Sequence, residues 1–152
     1  MNQYVHTAKD IDTHLKASAK FKKIFTYGGH INPVIPITAS TYKTGKHGSA
    51  KTRMLLKDYF TDSSFSDILD SDAKFVELEA HIHYGVELGV ITNVSKTEIT
   101  VINESYETIV IPEKNLSVFK LCEDAEHLTY IRFFNGVNNL YKIKTVKDII
   151  IT

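Results

Sequence analysis

Cysteine is almost absent: Cys122 is the only one in 152 residues. An internal disulfide and a multi-cysteine zinc site are therefore excluded. Tryptophan is missing and proline occurs three times. No run of about 18 apolar residues occurs, so no membrane-spanning helix and no membrane partner are expected. The opening MNQYVHTAKDIDTHLK has no apolar core of a secretory signal. A cytoplasmic location fits these absences. Arginine is scarce: Arg53 and Arg132 are the only two among eighteen basic residues. That scarcity argues against guanine-edge readout by paired guanidinium contacts.

Catalytic signatures are also lacking. No G-x-S-x-G elbow occurs. Cys122 is followed by Glu123 and Asp124, whose charges raise a thiol pKa rather than activate it. No pair of carboxylates stands apart from the general acidic surface, so nothing argues for acid–base catalysis. The chain is expected not to be an enzyme, and no cofactor is expected.

What is present is an uneven distribution of charge. The eighteen Lys/Arg balance eighteen Asp/Glu. Yet residues 1–60 hold ten basic and three acidic side chains, a net of +7. Residues 61–126 hold four and fourteen, a net of −10. A basic front third suggests an anionic partner.

Two basic stretches carry that expectation. In TGKHGSAKT (residues 44–52), the run from Gly45 to Thr52 approaches the phosphate-binding pattern G-x-x-x-x-G-K-[ST]. Ala50 stands where the second glycine should bend around a phosphate, and no apolar strand ending in Asp could hold Mg²⁺. Lys43, Lys46, Lys51 and Arg53, with Gly45, Gly48 and Ser49 for close backbone approach, instead suit a nucleic-acid backbone. The second stretch is residues 8–25, read as a helix capped by Thr7 with Asp10 three residues on, and stopped by Gly28-Gly29. Its Lys16, Lys20 and Lys23 would lie along one face and meet successive phosphates. Tyr27 and Tyr42 could add packing on sugars or bases.

The motif His81-Ile82-His83, with Glu87 four residues beyond, is a weak candidate for a metal site. On an alternating strand both imidazoles would share a face, as a metal-dependent nuclease would need.

The remaining patterns set the fold expectation. Residues 31–42 contain Pro33 and Pro36 and read as an extended edge segment or loop. Residues 51–60 read as a short helix with Met54, Leu55 and Tyr59 inward, and SFSDILDS as another helical turn. From Phe75, Val76, Leu78, Ala80 and Ile82 alternate with polar residues, as a half-buried strand does. Further β segments follow at short spacing, and Asn135-Gly136 marks a type I′ hairpin turn. The expected fold is α+β: a basic, mainly helical region over residues 1–72 and a C-terminal antiparallel barrel over residues 73–152.

Within that barrel, Gly89-Val-Ile-Thr-Asn-Val-Ser-Lys-Thr-Glu-Ile-Thr-Val-Ile and Glu107-Thr-Ile-Val-Ile-Pro-Glu-Lys-Asn-Leu116 resemble SH3-like small barrels of the KOW and Sm-like kind. The resemblance implies a nucleic-acid, ribosomal or polymerase partner. Glu87, Glu98, Glu104, Glu107 and Glu113 depart from the basic loops of nucleic-acid-binding members. This argues against a DNA role for the barrel face itself. Lysine-rich, AT-codon composition together with this segment is similar to the early host-takeover proteins of T-even-type phages. That implies modulation of host transcription or nucleoid structure in the host cytoplasm. The expected function is non-catalytic, low-specificity binding of double-stranded DNA by Lys16, Lys20, Lys23, Lys43, Lys46, Lys51 and Arg53. Two alternatives stay open: the metal-dependent enzyme above, and an interaction module whose acidic middle binds a basic host protein.

Overall fold

The structure is a computed structural model, and it describes residues 3–43, 45 and 48–151. The chain divides after Ile82 into two compact units, Met1–Ile82 and His83–Thr152. Both are built on sheets, with about 55% of the described residues in strands and 14% in helix, counting two α-helices and one 3-10 turn. The expectation of a mainly helical N-terminal part is therefore overturned.

The first unit begins with β1 (Val5–Thr7) and α1 (Ala8–Ala17). The helix starts as expected: the Thr7 side chain accepts from Asp10 N–H, and the Asp10 carboxylate accepts from Thr7 N–H, each at 3.1 Å. It stops eight residues early, because Ser18 turns extended at the C-cap and its hydroxyl accepts from Lys20 N–H. Phe21 then folds back to stack on His14 at 5.1 Å. Phe25, expected on the helix, is a fully buried residue of β2 (Phe25–Tyr27). Gly28-Gly29 forms the turn between β2 and β3 (His30–Lys43).

β3 and β4 (Ala50–Asp58) make a long antiparallel hairpin, and β5 (Ser64–Asp70) and β6 (Lys74–Glu77) complete a sheet ordered β1-β6-β2-β3-β4-β5. Residues 31–42 are thus a paired strand. The prolines fit because Pro33 falls in the register break between β2 and β3, and Pro36 lies beyond the reach of β2 where the ladder with β4 breaks its register. Residues 51–58 and 64–70 are strands, not helices. In β4, Thr52, Met54, Leu56 and Asp58 are buried while the residues between them are not, a period of two. α1 packs on this sheet through Ala8 and Ile11, joining a core of Phe25, Tyr27, Val34, Met54, Leu56 and Phe75. Because β6 pairs with β1 and β2, residues 74–77 belong to the first unit, beyond the boundary expected at residue 72.

The second unit runs through β7 (Tyr84–Val94), β8 (Glu98–Asn103), β9 (Thr108–Pro112), α2 (Leu116–Glu123), β10 (His127–Phe134), β11 (Asn139–Val146) and β12 (Ile149–Ile150). Its order is β12-β11-β10-β7-β8-β9, and β9 also lies beside β11. A three-strand meander, a helix and a hairpin returning to the first strand make an OB-type Greek-key barrel. The resemblance holds at the level of a β-rich unit: the strand order is of OB type, with a helix between the third and fourth strands, in place of the SH3-like barrel expected. Ile99, Val101, Ile111, Phe119, Tyr130 and Ile143 fill it. The β10–β11 hairpin forms at Asn135-Gly136, but only Gly136 has positive φ (95°), and Asn135 Oδ1 accepts from Val137 and Asn138 N–H, each at 2.8 Å. A side-chain-held turn thus replaces the expected type I′.

Gly89, the glycine of the barrel motif, is required by space. A Cβ there would lie 2.7 Å from Val101 Cγ2 and 3.4 Å from Tyr130 Cε1. Gly89→Ala is expected to cost about 1–3 kcal/mol of stability. A thermal melt that matches wild type would refute the packing argument.

Candidate nucleic-acid interface

The basic residues of the front third are distributed over two settings. On α1 and the segment after it, Lys16 pairs with the buried Asp12 at 3.0 Å and Lys23 with Glu77 at 2.5 Å. Lys20 is exposed but lies beyond the end of the helix. The expected one-face stripe of Lys16, Lys20 and Lys23 does not form, because the helix ends at Ala17.

The second setting is the β3–β4 hairpin. Lys43 and Lys51 lie where its strands approach the connecting loop, opposite Ala50 and Tyr42 respectively. Arg53 lies one step further down, opposite Ser40. Lys46 lies outside the described residues. Lys51 engages Asp70 of β5, which raises its ammonium pKa. Lys43 and Arg53 are exposed, with no hydrogen-bond or ion-pair partner among the described residues.

A partly buried polar line fixes the hairpin below that loop. Thr41 Oγ1 donates to Asp12 Oδ2 at 2.6 Å, and the hydroxyls of Thr41, Thr52 and Ser71 follow one another at 3.0 Å. These bonds tie α1 to β3, β4 and the end of β5. Further along, Asp58 is buried and accepts from the Phe60 and Thr61 N–H groups at 2.9 Å, while His30 Nε2 and Asn32 Nδ2 reach its other oxygen at 2.7 and 2.9 Å. Sequence inspection gave neither arrangement, since both join residues distant along the chain.

The expected charge asymmetry weakens once the units are drawn. Residues 1–82 hold eleven Lys/Arg and nine Asp/Glu, a net of +2; residues 83–152 hold seven and nine, a net of −2. Acidic residues of β5 and β6 fold back onto the lysines of the same unit. Among the described residues, Lys43 and Arg53 of the hairpin stay without an ion pair, as do Lys9, Lys20, Lys22 and Lys74 elsewhere in the unit.

The His81, His83 and Glu87 arrangement is not assembled as a strand face. β6 ends at Glu77, a 3-10 turn covers Leu78–Ala80, and His81 and His83 fall on opposite sides of the division between units. Glu87 is held by Arg132 Nε at 2.8 Å, by Asn103 Nδ2 at 3.2 Å and by the Tyr130 hydroxyl. Among the described residues, no group of three His, Cys, Asp or Glu is placed to hold a metal ion. Cys122 is buried, and its thiol pKa is pushed up to about 11, by burial first and by Glu113 second. The direction is the expected one, but burial dominates, not the adjacent acids. No helix among the described residues is long and apolar enough to cross a membrane.

A mostly β chain of two units, the second of OB type, defines the class of fold. It is shared with solved structures of translation initiation factors. Eukaryotic translation initiation factor 5A from Methanococcus jannaschii is 20% identical, with a TM-score of 0.57 over 93% of this chain and 92% of that one. A translation initiation factor eif-5a family protein from Naegleria fowleri is 18% identical, with a TM-score of 0.53 over 92% and 94%. No family model and no curated protein matches the chain. At these identities the likeness establishes the fold. Neither neighbour is a phage host-takeover protein, and that resemblance gains no support.

Proposed function

We propose that this chain is a non-catalytic translation factor that binds RNA through the β3–β4 hairpin, with Lys43, Lys46, Lys51 and Arg53 meeting phosphates. The observation carrying this reading is the likeness to initiation-factor structures over more than nine-tenths of both chains, which spans both units. Lys43 and Arg53, without a partner among the described residues, supply the chemistry. Lys20 lies well before the hairpin in sequence, and Lys16, Lys23 and Lys51 are partly neutralised by Asp12, Glu77 and Asp70. Double-stranded DNA and transcription modulation, expected from composition, find no counterpart in these neighbours, so RNA takes their place. A basic host protein as partner likewise finds none. The metal-dependent alternative lacks a free carboxylate at Glu87.

Lysine is suited to sequence-blind phosphate contact because it is a point charge on a flexible stem. Changing Lys43, Lys46, Lys51 and Arg53 to Ala removes four such contacts. The plot of log affinity against log salt is then expected to flatten by about 3, at about 0.7 per phosphate on a single strand. Filter binding of ribosomal RNA at a series of salt concentrations measures the slope. An unchanged slope, or tighter binding to duplex DNA than to RNA, would overturn the reading.

A further inference from the structure

Alternation along the hairpin places a defined set of side chains on the outer face of the sheet. The register aligns Thr38 with Leu55 and Ser66, Ser40 with Arg53 and Ile68, and Tyr42 with Lys51 and Asp70. These residues share one face because each pair sits directly opposite and the period is two. The alternate face carries Met54 and Thr52 into the interior. Around Arg53 the outer face offers small hydroxyls and two exposed apolar surfaces: Tyr42 at 39% and Ile68 at 51%. Arg53, Ser66, Asp67 and Ile68 line a shallow groove of about 510 Å³.

The formal charges of Lys51, Arg53, Asp67 and Asp70 on and around this face sum to zero, but they are not all paired with one another. Asp70 is engaged by Lys51. Asp67 is engaged on both oxygens, by the Tyr27 hydroxyl at 2.7 Å and by Ile68 N–H at 2.9 Å. Arg53 has no partner among the described residues. Its five N–H donors and its charge are the unspent capacity of the face. Tyr42 is its diagonal neighbour across the strand pair, a separation of about 7–8 Å that long side chains bridge.

We infer that this outer face binds one unstacked nucleotide of single-stranded RNA, with its base on the Tyr42 ring and its phosphate on Arg53, between the hydroxyls of Ser40 and Ser66. A planar guanidinium holds a phosphate through two parallel bonds, and a flat aromatic accepts any base. A duplex offers its phosphates but not an unstacked base, so the face discriminates single from double strands. The inference rests on the RNA-binding reading of the same hairpin. It adds the strand state of the ligand and assigns Arg53 and Tyr42 distinct roles.

The chain has no tryptophan, so Tyr42→Trp places a single indole on the face. Titration with an eight-nucleotide oligouridylate is expected to quench its fluorescence saturably, and an RNA duplex of equal length is expected to leave it unchanged. Arg53→Ala should weaken oligouridylate binding at least tenfold. Arg53→Lys, which keeps the charge and loses the fork, should remain at least threefold weaker than wild type. Tyr42→Leu should weaken single-strand binding while leaving duplex binding as it was. Equal quenching by duplex, or an Arg53→Ala variant that binds oligouridylate like wild type, overturns the inference. If either result appears while wild type still binds ribosomal RNA with a steep salt slope, only the face assignment falls. Loss of RNA binding by wild type ends both readings.

Discussion

Asp58→Ala is expected to destabilise the first unit by about 3–5 kcal/mol, the range for removing one partner from a buried charged network. Four donors converge on this carboxylate: two backbone N–H groups of the turn after β4, and the side chains of His30 and Asn32 on β3. Alanine leaves all four facing a site with no acceptor. Amide hydrogen exchange reads the outcome by unit. The β3 and β4 amides should exchange faster, while those of β7 to β11 keep their protection. An Asp58→Ala protein with unchanged β3 and β4 exchange would refute the role.

The pH dependence follows from the same contacts. Burial pushes the Asp58 carboxyl up, but hydrogen bonds from His30, Thr61, Asn32 and Phe60 outweigh it and hold the pKa below the ordinary carboxylate range. A folded-state pKa below the unfolded one means the stabilisation is present above the ordinary carboxylate value. It is lost as pH falls through the lowered value. Asp58→Ala and wild type should therefore converge in stability in strong acid and diverge toward neutrality.

Glu87→Leu should cost the second unit about 2–4 kcal/mol. Arg132 grips Glu87 through Nε and Nη2 at 2.8 and 3.1 Å, the Tyr130 hydroxyl donates to it, and Asn103 Nδ2 adds a bond at 3.2 Å. Leucine strands those donors, with Glu107 left to hold Arg132 at 3.2 Å. The partial exposure of Glu87 keeps the estimate below that for Asp58. Replacing Arg132 by Met in the same chain should restore part of the loss, because the unpaired charge goes with it. Here too burial raises the Glu87 pKa, and the bonds from Arg132 and Tyr130 bring it below the ordinary carboxylate range. The contribution is again present above the ordinary range and lost in acid. A double variant no more stable than Glu87→Leu alone would show that the cost is not electrostatic.

The helix start at Thr7, the alternating strands of the second unit and the Asn135-Gly136 hairpin were legible because their signals are local. A cap spans three residues, a hairpin turn four, and a strand face repeats every two. β4 was misread for a specific reason. Two of its four inward positions are polar, Thr52 and Asp58. Their partners, Thr41 and Ser71 for one and His30 and Asn32 for the other, lie 11 to 28 residues away in sequence. With those positions discounted, Met54, Leu55 and Tyr59 imitate a helical face. α1 was drawn too long for a similar reason. Nothing local distinguishes Phe25 on a helix from Phe25 between Val34 and Glu77 in a sheet.

By itself the sequence determined the absence of an internal disulfide, the mostly β second half and the gathering of basic residues around positions 43–53. Those depend on composition and short-range pattern. Tertiary pairing alone decided which cations stay unspent. Lys16, Lys23 and Lys51 meet carboxylates, whereas Lys43 and Arg53 meet none among the described residues. Charge is fixed by the residue, but its neutralisation depends on distance, and only the folded sheets set the distances.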